Sequence, residues 1–248
     1  DLWTPVLGPA VLLNMEGADH AALRRSLAGL FTPRAVRELA RVEADAALGT
    51  LAARLLAGER VDLVREVEHL AGTVICRMTG LPPTDAGVRE AFGAAREIMG
   101  LVRLHRRSLT PRQVSRAREV LGRLTRHAGE AYRAGDPATV PGRMAGLGLS
   151  EREALGAVGA FVLTGTETIQ SFTPRLVALT HDAGWLEQLL QAEAGSALRT
   201  RVVEESLRTT VPSPAMLRSV RAEARVGGTP VAAGDRVVIA TLSCCRAG

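Results

Sequence analysis

An acid and a threonine hydroxyl stand side by side at Glu167 and Thr168, within the apolar run 154–173. This run is mostly Ala, Gly, Val, Leu and Phe, which predicts a helix that is buried on nearly all sides. A buried carboxylate must be paired or have a chemical task. A carboxylate beside a hydroxyl can pass protons from solvent to a bound oxygen species. The alternative is a structural Glu167 that pairs with an arginine elsewhere in the chain.

Two residues just before this pair indicate room for a ligand. The Thr168 hydroxyl can donate to the carbonyl of Thr164, which loosens the helix locally. Gly165 lacks a side chain at a position where a large group can lie against the backbone.

In each of two other pairs, the two residues lie on the same face of a predicted helix. His20 and Arg24 are four residues apart, and two cations at this spacing repel each other unless an anion such as a carboxylate lies between them. An exposed polar face is the alternative. Glu205 and Arg208 are three residues apart and can form a bonded unit whose guanidinium reaches further acceptors. An ordinary surface salt bridge is the alternative there.

The composition favours a helical core. Of the 248 residues 46% are hydrophobic but only 3% are aromatic, so the core must be built from Leu, Val and Ala. The sequence has no lysine, and its net charge of +5 comes from arginines scattered through the chain. With few aromatic residues to stack on bases, nucleic-acid binding is not expected; an acidic protein partner or an anionic cofactor fits better.

Three cysteines, Cys76, Cys244 and Cys245, give neither a disulfide framework nor the spacing of a metal site, so a reducing, cytoplasmic location is expected. No signal peptide or membrane span is visible, and no membrane partner is expected. The chain begins at Asp1 without a methionine and stops just after a strand-like run, which indicates a fragment.

Helical periodicity and capping signals predict the elements that must position these residues. The predicted helices are 19–30, 33–58, 64–79, 88–104, 110–134, 151 onward with a kink at Pro174, 181–194 and 198–209. A loop is predicted at 135–148, and β-branched residues predict strands at 221–226 and 236–242.

Five segments resemble, in order, those of the soluble bacterial cytochromes P450. Segment 15–25 (MEGADHAALRR) and the following FTPR at 31–34 are similar to the C-helix of the family and its continuation. LTGTET at 163–168 resembles the oxygen-activating I-helix motif, EESLR at 204–208 resembles the K-helix ExxR motif, and 217–237 resembles the strands after it. The resemblance implies a mainly α chain with a truncated cytochrome P450 fold and a small β portion near the C-terminus. Residues 1–248 would form a single incomplete domain.

The resemblance also implies the cofactor, haem b, and the residues that surround it. His20, Arg24 and Arg218 would bind the haem propionates, and Thr164 with Gly165 would border the oxygen groove. Thr164 stands where the family usually has Ala.

Glu167 and Thr168 would deliver protons to bound dioxygen, and Glu205 with Arg208 would be a structural pair holding the core on the haem side. The implied function is a haem-thiolate monooxygenase that inserts one oxygen atom into a small organic substrate, with electrons from a ferredoxin and its reductase. The cysteine that ligates the haem iron in this family belongs to a later loop, which none of the three cysteines here occupies, so no metal ligand is assigned within the chain. The alternative is a haem-less scaffold of this fold that binds and stabilises a partner enzyme.

Overall fold

The computed structural model of the chain describes residues 2–102, 106 and 108–246. Its residues group into two compact units, Asp1–Glu167 and Thr168–Gly248. Both units are mainly helical, and the strands that the structure describes belong to the second unit.

Unit one begins with a short helix and contains most of the long ones. Its helices are Thr4–Leu7 (α1), Gly17–Leu27 (α2), Pro33–Leu56 (α3), Leu63–Thr79 (α4), Asp85–Leu101 (α5), Pro111–Leu124 (α6), Arg126–Ala134 (α7), Val140–Gly146 (α8) and the first half of Glu151–Asp182 (α9). Two 3-10 turns, Leu12–Asn14 and Ala28–Phe31, flank α2.

Local capping signals account for several helix starts. Thr32 caps α3 through its side chain. Thr110 and Gln113 form a complete capping box at α6. Ser150 and Glu153 do the same at α9, where the Ser150 N–H donates to Glu153 Oε2 at 2.8 Å. These starts agree with the prediction because each signal lies within one turn of the helix that it begins.

Two predicted elements of unit one differ from the structure. The predicted loop 135–148 contains α8, whose start is capped by the Thr139 hydroxyl, which accepts from Gly142 N at 3.2 Å. The predicted helix 110–134 is interrupted at Thr125, whose hydroxyl donates to the Leu121 carbonyl at 2.8 Å. Helix α5 ends at Leu101, and the predicted end at residue 104 lies outside the described residues.

The core of unit one consists of two clusters of buried apolar residues. The larger joins α1, α4, α5, α6 and α9 and includes Cys76, Phe92 and Val162. The smaller contains Leu23, Leu27, Val140, Met144, Ala154 and Ala157. Helix α2 therefore buries its leucine face in the same cluster as α8 and the first turns of α9.

Unit two contains the rest of α9, the helices Leu186–Gln191 (α10), Ala197–Thr209 (α11) and Thr241–Arg246 (α12), and four short strands. The strands are Met216–Ser219 (β1), Ala224–Val226 (β2), Thr229–Val231 (β3) and Arg236–Ile239 (β4). Strand β1 pairs antiparallel with β4, and β2 pairs antiparallel with β3. Gly227 and Gly228 make the β2–β3 turn with φ of 54° and 81°, which suits glycine.

The β portion near the C-terminus is confirmed, with shifted boundaries. Strand β4 falls within the predicted 236–242, whereas β2 covers only the end of the predicted 221–226. Strand β1 was not predicted from residue types, but it overlaps the segment 217–237 in which the resemblance implies strands. Pro174 does not end α9, which continues to Asp182. Across the described ranges of the chain, no helix is both long and apolar enough to cross a membrane.

Candidate functional site

The middle of α9 has one buried side and one uncovered side. Val162 and Thr166 are fully buried, and the Thr166 hydroxyl donates to the Val162 carbonyl at 2.9 Å. Thr164 and Glu167 are exposed, and Thr168 is partly buried. The prediction of a helix buried on nearly all sides was therefore wrong, because no described element covers the side that carries Glu167.

Glu167 is accordingly not a buried charge in need of compensation. Its carboxylate forms no ion pair with any residue that the structure describes, so the alternative of a structural pair with an arginine is not found there. The Thr164 hydroxyl donates to the Ala160 carbonyl at 2.8 Å, one turn earlier in the helix.

Gly165 is a point of close helix contact. A Cβ atom added at this position would overlap Ile75 Cδ1 and lie 3.1 Å from Ile75 Cγ1. Ile75 belongs to α4 and is itself buried. The absent side chain therefore makes room for another helix of the same unit. That Gly165 also borders an oxygen groove, as the resemblance implies, stays a prediction.

His20 and Arg24 lie on α2, the helix that buries Leu23 and Leu27. His20 is partly buried and Arg24 is exposed. Neither side chain has a hydrogen bond or an ion pair with a described residue. Helix α2 thus presents two cationic or potentially cationic groups that no protein carboxylate within the described residues neutralises.

Glu205 and Arg208 form a bidentate fork within α11. Arg208 Nε and Nη2 each donate to a Glu205 carboxylate oxygen at 2.7 Å, and Arg208 Nη1 donates to the Cys245 carbonyl at 2.8 Å. The hydrogen bond from Arg208 lowers the pKa of Glu205. The side chains of Arg208 and Glu205 are 45% and 59% exposed, so this pair is not enclosed in a core within the described chain. Its third bond instead ties α11 to α12.

Arg218 lies on β1, opposite Val237 of β4. Its side chain is exposed, and Nη1 donates to the carbonyl of Leu217 at 2.9 Å. Its assignment as a propionate ligand stays a prediction.

Two cavities of unit one were identified, and neither is lined by a predicted site residue. One, of about 440 Å³, lies beside α1 and the start of α9. The other, of about 870 Å³, lies among α3, α4, α7 and α8 and includes Glu43, a buried carboxylate that forms an ion pair with Arg77. That the predicted residues surround one haem-sized cavity therefore also stays a prediction.

The three cysteines are placed apart from any metal-binding arrangement. Cys76 is buried in α4, and its burial, aided by the Glu90 carboxylate, raises the pKa of this thiol to about 11, so it is not a thiolate at neutral pH. Cys244 and Cys245 lie in α12. Among the residues described, no group of His, Cys, Asp and Glu side chains is arranged to hold a metal ion.

One contact at this site was missed by the sequence reasoning. The rings of Phe31 and Phe161 are stacked, with centroids 5.5 Å apart and planes 14° from parallel. Phe161 precedes Thr164 by three residues and so lies on a neighbouring part of the same side of α9. The signal available in the sequence was a phenylalanine one turn before the polar stretch, in a chain with only four phenylalanines.

The fold is that of a cytochrome P450 core. A solved structure of a mutant of P450 EryK in complex with erythromycin B superimposes with a TM-score of 0.80 and 25% identity, covering 96% of this chain and 61% of that one. The erythromycin C-12 hydroxylase of Saccharopolyspora erythraea is 29% identical over 96% of this chain and 60% of its own length. A putative cytochrome P450 126 of Mycobacterium tuberculosis is 30% identical over 95% of this chain and 58% of its own.

The chain belongs to the cytochrome P450 family. It spans about 60% of the length of the curated relatives that it matches. No protein-family profile matches it.

Proposed function

We propose that the complete gene product is a cytoplasmic haem-thiolate monooxygenase that inserts one oxygen atom from dioxygen into a small organic substrate, and that this chain is its central portion. The observation that carries the proposal is the uncovered side of α9, where an exposed acid precedes a threonine in the middle of the longest helix. Thr164, Glu167 and Thr168 are three and four residues apart, so they share this side of the helix.

The residues present fit haem on two counts. His20 and Arg24 offer two groups for carboxylates without a competing partner among the described residues, and Arg218 is the third candidate. The open side of α9 offers a face for a flat apolar group. The described cysteines do not fit as the axial ligand, so we place that ligand outside this chain. When bound, the haem supplies the redox chemistry that activates dioxygen.

The residues of this chain supply binding and proton transfer. His20, Arg24 and Arg218 would hold the propionates by charge-assisted hydrogen bonds. Glu167 is exposed and exchanges protons with water, and the neighbouring Thr168 hydroxyl accepts a proton from one side and donates one to the other. Glu205 and Arg208 have a structural role, since their fork joins α11 to α12.

An electron donor must dock on the protein, and we propose an acidic ferredoxin supplied by its reductase. Arg25, Arg34 and Arg37 are exposed on α2 and α3, and none has an ion pair with a described residue. A cluster of one sign of charge speeds association with a partner of the opposite sign, and its effect falls as salt screens it.

Reduction of the complete gene product under carbon monoxide tests the haem-thiolate assignment. We expect a Soret band at the position typical of thiolate ligation. A protein that purifies colourless and takes up no haem refutes the assignment and favours the scaffold that binds a partner enzyme. Erythromycins are the first substrates to test, because one relative is named as a hydroxylase of erythromycin.

A matched pair of variants tests the proton relay. Thr168→Val removes the proposed relay hydroxyl while keeping the shape of the side chain, and we expect the product formed per dioxygen consumed to fall about tenfold or more. Thr166→Val removes a hydroxyl two residues away that is buried and bonded to Val162, and should leave this ratio unchanged. Equal ratios in the two variants would contradict a role for Thr168.

A further inference from the structure

The Phe31–Phe161 stack joins two segments of unit one that are far apart in sequence. Phe31 ends the 3-10 turn that follows α2, and Phe161 lies in α9. A centroid separation of 5.5 Å with nearly parallel rings falls within the range of favourable aromatic pairs. The stack therefore contributes a specific contact beyond the burial of apolar surface.

The stack lies at an edge of the small core and not inside it. Phe161 packs against the cluster that contains Leu27 and Ala157, but it is only partly buried, and Phe31 remains 41% exposed. The Phe31 ring is therefore stacked on one face and partly open to solvent. The position of Phe161, one turn before Thr164, places this edge next to the uncovered side of α9.

The two segments carry different parts of the proposed haem site. Helix α2 carries His20 and Arg24, and Phe31 follows it directly. The leucines of α2 lie in the cluster with Ala154 and Ala157. The stack attaches Phe31, at the end of the 3-10 turn after α2, to a point further along α9, toward Thr164. Two contacts at separate points along α9 fix both the position and the direction of α2, which one contact cannot do.

We propose that Phe31 and Phe161 are a positioning pair for the haem. The stack sets the spacing between the helix that binds the propionates and the side of α9 that faces the reacting oxygen. The inference rests on the proposed function. It adds two residues that neither touch the propionates nor transfer protons.

The test uses the complete gene product with Phe31→Leu, Phe161→Leu and both together. The rate of haem transfer to an excess of apomyoglobin is measured well below the thermal midpoint, together with the reduction potential of the haem. We expect each single variant to release haem roughly two- to tenfold faster and to shift the potential. The double variant should be no faster than the faster single variant, because the rings act as a unit.

Two controls separate positioning from a general loss of stability. Phe31→Tyr keeps the ring, so its rate of haem release should equal that of the unaltered protein. Phe92→Leu truncates a ring that is 1% exposed in the larger core, and should lower the thermal midpoint without changing haem release. Phe31 is partly exposed, so its leucine variant is expected to fold.

The results that overturn each proposal differ. Haem release unchanged in Phe31→Leu and Phe161→Leu, or effects that simply add in the double variant, would overturn the positioning pair and leave the monooxygenase intact. An unaltered gene product that takes up no haem would overturn both proposals.

Discussion

Gly165→Ala is the substitution whose outcome the structure and the sequence predict differently. An added methyl in the middle of a helix ordinarily stabilises by about 1 kcal/mol, because glycine has the greater backbone entropy to lose. At Gly165 the new Cβ would overlap Ile75 Cδ1. Overpacking in a closed core costs typically about 1–3 kcal/mol. We therefore expect Gly165→Ala to lower the free energy of unfolding by roughly 0–2 kcal/mol, the overpacking cost less the entropic gain.

Gly93→Ala is the matched control. Gly93 lies in the middle of α5, is exposed, and has no atom within 4 Å of an added Cβ. The free energy of unfolding of this variant should rise by about 1 kcal/mol. Urea unfolding of the complete gene product, followed by circular dichroism, measures both changes. The free energy of unfolding of Gly165→Ala should be about 1–3 kcal/mol lower than that of Gly93→Ala, because only the former variant is overpacked.

Ile75→Val identifies the cause, because it deletes the Cδ1 atom that the new methyl meets. By itself this change should cost about 0.5–1.5 kcal/mol. In the Gly165→Ala background the same change should cost nothing or should stabilise, so the two substitutions couple. If Gly165→Ala stabilises as Gly93→Ala does, or if Ile75→Val costs the same in both backgrounds, the packing explanation of Gly165 is refuted.

Two further predictions concern residues away from the site. Burial raises the pKa of Cys76 from its ordinary value of 9.0 to about 11, so the folded state holds this proton more tightly than the unfolded state. The resulting stabilisation of the fold is complete below about pH 9 and is lost as the pH rises toward 11. Unfolding measured against pH should therefore show a smaller alkaline loss of stability in Cys76→Ala, and parallel losses would contradict the assignment. Thr110→Ala removes the cap of α6 and should lower the free energy of unfolding in urea by about 1 kcal/mol. Thr110→Ser keeps a capping hydroxyl and should retain most of this stability; equal losses in the two variants would show that the cap does not matter.

Helix starts were predictable from the sequence where the signal is local. The capping boxes at Thr110 and Ser150 need only four consecutive residues, and both are formed. Helix α8 was missed because Gly and Pro in 135–148 were weighed as loop signals, although Thr139 two residues before Pro141 is a valid helix start. Residue types alone do not predict strand β1, because its partner, β4, lies beyond the β2–β3 hairpin in the sequence; only the resemblance implies a strand there.

The sequence singles out candidate site residues but does not predict their surroundings. The apolar composition of 154–173 gave no way to tell which side of the helix would be covered, because Ile75, the residue that packs on Gly165, lies far earlier in the sequence. The same holds for the contact between Phe31 and Phe161. Periodicity fixes which residues share a face, whereas tertiary packing decides what lies against it.

The exposure of Glu167 changes the argument for its role. The sequence singled it out as a charge that burial would penalise, and that reason does not hold in the described structure. A relay, however, needs one end in contact with water, and an exposed carboxylate meets that need without a further chain of groups. Thr168, the next residue, is partly buried, so the acid and the hydroxyl differ in their access to solvent. The proposed relay would therefore take protons in at the exposed carboxylate and pass them on from the partly buried hydroxyl.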